Sequence, residues 1–291
     1  MNTPVIIFSF NRPDYLASVL DSILAQDIDL GNYDFYLFQD AARDSVDRPP
    51  VKRCEEIFQD KFPNGQIQSA RENLNVGKNF YRAFQFVFDK LNAKYGFFFE
   101  DDLALTHPKY FSTLEKLTKM ALSDKRVGIC ACYGELATRP LEKQSYKVTE
   151  LDSLGHNWGF SLTKSAWDSA KGFYGEYQKI IKSIPYKDKD VIKGIDISYH
   201  FLSAGYAINE LSQDVALTIA LLSKGIVKVN TGFNLGTYIG KVGEHLLESE
   251  FDERGYSKTV IWDREIPEKF TLTNQNYEDI LKVLNKHFQL M

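Results

Sequence analysis

The chain has little of what would place it in several common classes. It has three cysteines, Cys54, Cys130 and Cys132, with none of the paired spacings that hold zinc. No disulfide framework can be built from them, and a reducing compartment is expected. No apolar run approaches the ~20 residues that cross a bilayer. The opening Met1-Asn2-Thr3-Pro4 has neither a basic n-region nor an apolar h-region. No signal peptide is therefore expected, and the expected location is cytoplasmic. Positive charge is not in excess: 35 Lys and Arg against 39 Asp and Glu leave a net charge of −4. That balance argues against general nucleic-acid binding. The sequence shows no internal repeat and no low-complexity linker. The turn after its first apolar run lacks a Gly-rich dinucleotide fingerprint.

What is present suits a large core. Of 291 residues, 44% are hydrophobic and 14% aromatic, enough for one large domain. The aromatic share also leaves material for an apolar surface patch, so peripheral attachment at the inner face of a membrane stays open. The first half alternates apolar runs with helical patterns. Strands are expected at Val5 to Phe10, Asp34 to Gln39, Ile67 to Ala70, Tyr95 to Glu100 and Val127 to Cys132. Helices are expected at Pro13 to Ala25, Val51 to Phe62, Lys78 to Asn92 and His107 to Ser123. This order implies βαβ units, a mostly parallel sheet flanked by helices and right-handed crossovers. The second half reads as less regular. Thr138 to Glu150 is polar, and residues 231 to 258 read as a mobile segment. Helices are expected at Asp214 to Ser223 and Gln275 to Phe288, with a strand at Ile226 to Val229. Cys130 and Cys132 fall on one strand face, where small buried residues belong.

The densest signal is Phe97-Phe98-Phe99-Glu100-Asp101-Asp102, an aromatic strand that stops at three carboxylates. Open α/β sheets bind ligands at the C-terminal ends of their strands. Adjacent carboxylates repel, so they ionise comfortably only beside a cation. A hard divalent ion with a phosphate-bearing substrate would supply one. An acidic turn before the next helix, with Thr106 as cap and Pro108 in the first turn, is the alternative.

Three more turns fall on the same edge. Phe8-Ser9-Phe10-Asn11-Arg12-Pro13 joins the first strand to the first helix, whose free N–H groups suit phosphate. Arg12 adds a guanidinium that can grip a diphosphate, or else stands exposed beside a helix cap. Asp40 ends the second strand and can accept from a uracil or ribose, or simply cap a turn. Glu72-Asn73-Leu74-Asn75-Val76-Gly77-Lys78-Asn79 follows the third strand. Gly77 there allows close approach or a positive φ, and Lys78 or Asn79 could reach a nucleotide. A plain helix-start loop has the same residues.

Taken in order, the Asn-Arg-Pro turn, Gln39-Asp40, Asn73-x-Asn75-x-Gly77-Lys78 and Glu100-Asp101-Asp102 resemble the GT-A glycosyltransferases. The likeness is to family-2-like bacterial enzymes and to N-acetylglucosaminyltransferase I-type enzymes, which carry a Glu-Asp-Asp variant of the Asp-x-Asp motif. It covers roughly residues 4 to 247. The resemblance implies a GT-A fold with a nucleotide-sugar-binding half (1–132), an acceptor half (133–250) and a C-terminal extension (251–291) in a single domain. It implies a UDP-sugar donor, Mn²⁺ or Mg²⁺, and a glycan, glycolipid or glycoprotein acceptor.

The same resemblance assigns residues. Arg12 would contact the diphosphate and Asp40 the uracil, with Phe8, Asn11, Asn73 and Lys78 around the nucleotide. Glu100 and Asp101 would hold ribose and sugar hydroxyls, and Asp102 would ligate the metal. Gly155-His156-Asn157-Trp158-Gly159-Phe160 resembles a Trp-Gly segment near donor and acceptor. Trp158 would offer a face to a sugar ring, and Asn157 or backbone groups such as those of Gly159 would bind hydroxyls. A core tryptophan in a tight turn is the alternative. Asp214, opening a helix after Ser212-Gln213, would be the general base of an inverting reaction. Ser212 or Asp214 as an N-cap is the alternative. Gln213 departs from the aromatic or acidic residue that many members carry there. The segment Asn234 to His245 would close over the donor, with His245 as a late metal ligand or phosphate contact and Lys241 as another phosphate contact. A nucleotide-sugar nucleotidyltransferase and a non-catalytic GT-A binding module remain as competing classes. Asn11-Arg12-Pro13 is not the Gly-rich loop of the former, and the acidic set with Asp214 speaks against the latter.

Overall fold

The structure, a computed structural model, describes residues 2–134, 140–145, 149–182, 184–241 and 248–288. In chain order its first part gives β1 (Thr3–Ser9), α1 (Pro13–Leu24), β2 (Tyr33–Gln39), α2 (Arg48–Lys61), β3 (Gln66–Ile67), α3 (Asn75–Gln85), β4 (Tyr95–Phe99), β5 (Leu103–Ala104), α4 (Tyr110–Ser123) and β6 (Val127–Ala131). There follow α5 (Leu141–Ser145), β7 (Leu151–Ser153), β8 (Gly159–Thr163), α6 (Lys164–Ile180), α7 (Lys189–Leu202), α8 (Gln213–Leu222), β9 (Val227–Thr231), β10 (Thr237–Tyr238), α9 (Glu248–Glu253) and α10 (Asn274–His287).

Among the described residues, eight strands form one sheet in the order β3-β2-β1-β4-β8-β6-β9-β7. β1, β2, β3, β4, β6 and β9 share one direction, and only β7 and β8 oppose it. The chain is therefore α/β with a mostly parallel central sheet flanked by helices. Continuous apolar strands are what such a sheet requires, because helices cover both faces. Phe97, Phe98 and Phe99 are completely buried. Phe8 of β1 stacks on Phe80 of α3 at 3.8 Å, and Phe98 packs on Phe84 and Phe160. Trp167 of α6 closes the same cluster against Phe84 and Phe88. Truncating one of these rings to Ala would cost about 3–5 kcal/mol.

Several expectations change in the tertiary context. β8, which carries Gly159 and Phe160, inserts antiparallel between β4 and β6. It aligns Phe99 with Gly159, and the Glu100 N–H donates to the Trp158 carbonyl at 2.8 Å. The third helix leaves α geometry in a π-turn at Phe86–Lys90. The positive φ of the 72–79 turn belongs to Asn75, at 63°, and not to Gly77. Helix α4 starts at Tyr110, with Lys109 at its cap position. Thr106 is not that cap, since its hydroxyl meets Ala104 O and Thr237 Oγ1. The acidic triplet leads into β5, which pairs with β10, and not into a helix. The second half holds more regular structure than its sequence signals: α6 and α7 are not among the expected helices, and the 231–258 segment contains β10 and α9. Among the described residues, no helix is long and apolar enough to cross a membrane.

Candidate active site

The C-terminal ends of β1, β2 and β4 open onto a cleft of about 1380 Å³. Phe8, Asn11, Arg12, Asp40, Asn73, Lys78, Glu100, Asp101, Asp102, Trp158 and Asp214 all line it. These residues are drawn from across the sequence, and the sheet edge brings them together. A smaller recess of about 330 Å³, lined by Lys125, Ser165, Ser169, Lys224 and Ile226, has no carboxylate. His245 lies outside the described residues.

Arg12 organises the acidic triplet. It occupies the cap position of α1, with Pro13 following, and its side chain makes no cap bond. The guanidinium is thus available to the cleft. Nη2 binds Asp101 Oδ1, Nε approaches Asp101 Oδ2 at 3.4 Å, and Nη1 lies 2.9 Å from Asp102 Oδ2. Burial works against the charge on Arg12, but Asp101 and Asp102 beside it hold the proton more firmly than usual. Burial pushes the Asp101 carboxyl up to about 6 despite the pull of Arg12. Burial, with Asp102 and Asp214 nearby, raises Glu100 well above the usual carboxylate range. The cation that the triplet calls for is thus supplied in part by the chain itself.

Asp102 Oδ1 is buried and has no hydrogen-bond partner among the described residues, an orphaned acceptor of the hard oxygen type that Mg²⁺ and Mn²⁺ prefer. Among the described residues, no group of three or more His, Cys, Asp or Glu is arranged to hold a metal. Asp102 Oδ1 is the protein atom that such an ion would meet, and substrate phosphates and water would have to complete its shell.

The nucleotide-side residues are held by one another. Asp40 is only 4% exposed. Its Oδ1 accepts from the N–H groups of Ala41 and Leu74 at 2.9 and 2.7 Å, and Oδ2 accepts from Asn73 at 3.2 Å. Burial raises the Asp40 carboxyl, and these donors offset part of that. Asp40 thus pins the turn before α3 to the end of β2. Asn11 donates to Asp47 at 2.7 Å. Lys78 donates to the carbonyl of Lys182 across the cleft, and burial lowers the pKa of its ammonium.

Trp158 stands in an aromatic wall. Its ring stacks on His156 at 4.6 Å and on Tyr238 at 4.3 Å, with Tyr256 edge-on at 5.6 Å. Sequence reading missed His156, Tyr238 and Tyr256, all of which line the cleft. Tyr238 and Tyr256 lie 80 and 98 positions from Trp158 and share no local pattern with it, while His156 stands two positions before it. Gly159 has a different place from the one expected. It is buried under the wall and is not among the lining residues. Its carbonyl accepts from the Tyr110 hydroxyl at 3.0 Å. A side chain there would run into Leu103 and come within 3.0 Å of Phe99. Gly240 plays a similar part above the triplet, where a Cβ would stand 2.8 Å from Asp102 Oδ2. The Ile239 N–H donates to the Asp102 carbonyl at 2.7 Å, which docks that segment on the acidic edge.

Asp214 sits in the first turn of α8. The cap is Ser212, whose Oγ accepts from the Val215 N–H at 3.3 Å. Asp214 is thereby released from capping. Its Oδ1 accepts from Asn157 Nδ2 at 2.9 Å. Asn157 is 1% exposed, and it contacts Asp214 and Lys228 rather than lining the cleft. The expected hydroxyl-binding role of Asn157 does not fit that place.

No protein-family model matches the sequence, and no curated protein matches it. Among solved structures, 147 chains are similar. One is S. aureus TarS 1-349 in complex with UDP-GlcNAc, at 13% identity and a TM-score of 0.48, covering 99% of this chain and 73% of that one. Another is the mannosyltransferase PcManGT from Pyrobaculum calidifontis in complex with GDP-Man and Mn²⁺, at 13% identity and a TM-score of 0.42, covering 77% of this chain and 74% of that one. A further structure of TarS 1-349 covers 77% of this chain, which spans 56% of its length, with 14% identity and a TM-score of 0.42. Likenesses this distant do not carry an activity from one chain to another.

Proposed function

We propose that this protein is a metal-dependent, inverting glycosyltransferase of GT-A type. It would move a sugar from a UDP-sugar to a hydroxyl of a glycan, lipid-linked or protein-linked acceptor. The observation that carries the reading is the meeting of the Glu100-Asp101-Asp102 edge, Arg12 and Asp214 in one cleft at the strand ends. A guanidinium suits a diphosphate, carboxylates beside it suit a cation that would bind the same group, and a separate carboxylate at a helix start suits proton removal. The motif order along the chain supports the same reading.

In the proposed reaction the acceptor oxygen attacks the anomeric carbon and the bond from that carbon to the diphosphate oxygen breaks. The proton of the attacking hydroxyl passes to Asp214, and UDP leaves with the electron pair. A general base of this kind contributes about 10²–10⁴-fold. Arg12 would turn from its carboxylates toward the diphosphate oxygens. The aromatic wall of His156, Trp158, Tyr238 and Tyr256 would flank the sugar and exclude water. Asp102, through Oδ1, would hold a Mn²⁺ or Mg²⁺ ion, which would neutralise charge on the departing diphosphate as a Lewis acid. A lipid-linked acceptor with peripheral membrane attachment is supported by α7, whose Lys189 and Asp190 line the cleft and which exposes Val191, Ile195 and Tyr199.

One observation favours a second reading in which no metal is used. Arg12 is a cation that the chain itself places on this edge, and turned from Asp101 and Asp102 toward the diphosphate it would carry the neutralisation without a metal. Thermal shift with UDP, GDP, CMP, ADP and TDP, each with and without Mn²⁺, separates the possibilities. Stabilisation by UDP that requires Mn²⁺ supports the metal-dependent transferase. Stabilisation by UDP alone selects the metal-free form. No response to any nucleotide would overturn the reading.

A further inference from the structure

Lys228 is the one charged residue of strand β9, whose sequence is Val-Lys-Val-Asn-Thr. It lies in β9 between Val227 and Val229 and is 1% exposed. Its Nζ is 3.1 Å from the Gly155 carbonyl and 3.1 Å from Asn157 Oδ1. An ammonium has donors only, so it can face only the carbonyl end of an amide. That requirement fixes the Asn157 side chain, which could otherwise be turned either way. Its Nδ2 then points at Asp214 and donates to Oδ1 at 2.9 Å. Gln213 Nε2 approaches the same oxygen at 3.4 Å. Both donors converge on Oδ1. Oδ2 of Asp214 has no hydrogen-bond partner among the described residues.

We infer that Lys228 and Asn157 are positioning residues that clamp Asp214 by Oδ1 and so select Oδ2 as the atom that takes the acceptor's proton. This rests on the reading of Asp214 as general base. The clamp itself gains and loses no proton. The proton leaves the acceptor oxygen and arrives on Oδ2, while Lys228 keeps its charge and Asn157 its amide. Neither Lys228 nor Asn157 lines the cleft. Their effect reaches the reaction only through the orientation of Asp214, and misplacing a reacting group by about 1 Å costs on the order of 10²-fold in rate.

The test compares wild type with Lys228→Met and Asn157→Asp. Asn157→Asp keeps the size of the side chain and gives Lys228 an ion partner, so the fold is retained even if Lys228→Met unfolds. It removes the donor to Asp214 and sets a second carboxylate against it. UDP release from a panel of UDP-sugars is measured together with UDP binding by calorimetry. The expected result is a loss of kcat of about 10- to 100-fold in Asn157→Asp, with KM for the donor and UDP affinity within about twofold of wild type. Unchanged kcat, or UDP binding lost in proportion to kcat, would overturn the clamp. If wild type itself releases no UDP, the transferase reading fails separately, and the clamp is read by NMR. Asp214→Asn should then move the Asn157 side-chain amide resonance in wild type and move it less in the Lys228→Met background. No movement on Asp214→Asn would overturn it.

Discussion

Arg12 Nη1 lies 2.9 Å from Asp102 Oδ2, while Oδ1 of the same carboxylate is buried without a hydrogen-bond partner. One atom of Asp102 meets the chain's own cation, and the other meets no hydrogen-bond donor among the described residues. The predicted consequence is that Asp102→Ala abolishes the Mn²⁺-dependent part of UDP binding, a loss of at least about tenfold, since a hard cation needs a charged oxygen. Calorimetry with and without Mn²⁺ measures it. Equal UDP affinity in both proteins with Mn²⁺ present would remove Asp102 as the ligand.

Arg12→Ala takes the guanidinium from two buried carboxylates. Breaking such a pair from one side costs about 3–5 kcal/mol where burial is complete. Arg12 is a quarter exposed, so a loss at or below the low end, about 2–3 kcal/mol, is expected in urea unfolding near neutral pH. UDP affinity should fall with it. A variant as stable as wild type would mean that the triplet does not depend on Arg12.

Asp101 links stability to pH. Its folded pKa of about 6 lies above the ordinary 3.8, with burial as the cause. The folded state therefore holds this proton more tightly than the unfolded chain. That contribution is complete below about pH 3.8 and is lost as pH rises through about 6. The melting midpoint of wild type minus that of Asp101→Asn should accordingly fall between about pH 4 and about pH 6.5 and level off above that. A difference that stays flat or rises over that window would contradict the assignment.

Asp214→Asn tests the base. The amide keeps the shape and can still meet the segment around Asn157, so UDP binding should stay within about twofold. Transfer should drop by about 10²–10⁴-fold, the usual worth of a positioned base. Near wild-type transfer would exclude Asp214 from that role.

Gly159→Ala tests packing under the site. The added methyl would press on Leu103 and Phe99, and overpacking of this kind costs about 1–3 kcal/mol. The melting midpoint should fall. UDP binding should weaken as well, because the next residue back, Trp158, holds the Glu100 N–H. A neutral substitution would show that the β4–β8 contact has slack.

Much of the first half was legible from the sequence because its signals are local. Unbroken apolar runs such as Val5 to Phe8 and Phe97 to Phe99 fit strands buried on both faces. Pro13 and Ser212 mark helix starts through their own backbone requirements. The carboxylates at Glu100 to Asp102 mark a strand end because charge cannot continue into that core. Tertiary structure alone decided the rest. An antiparallel β8 entered a parallel sheet because Phe160 fills the aromatic core while Gly159 lets β4, Leu103 and Tyr110 come close. Arg12 met Asp101 and Asp102 across 89 and 90 positions, and Lys228 reached Asp214 through Asn157. Those pairings depend on which strand ends share an edge, and no local propensity encodes that choice.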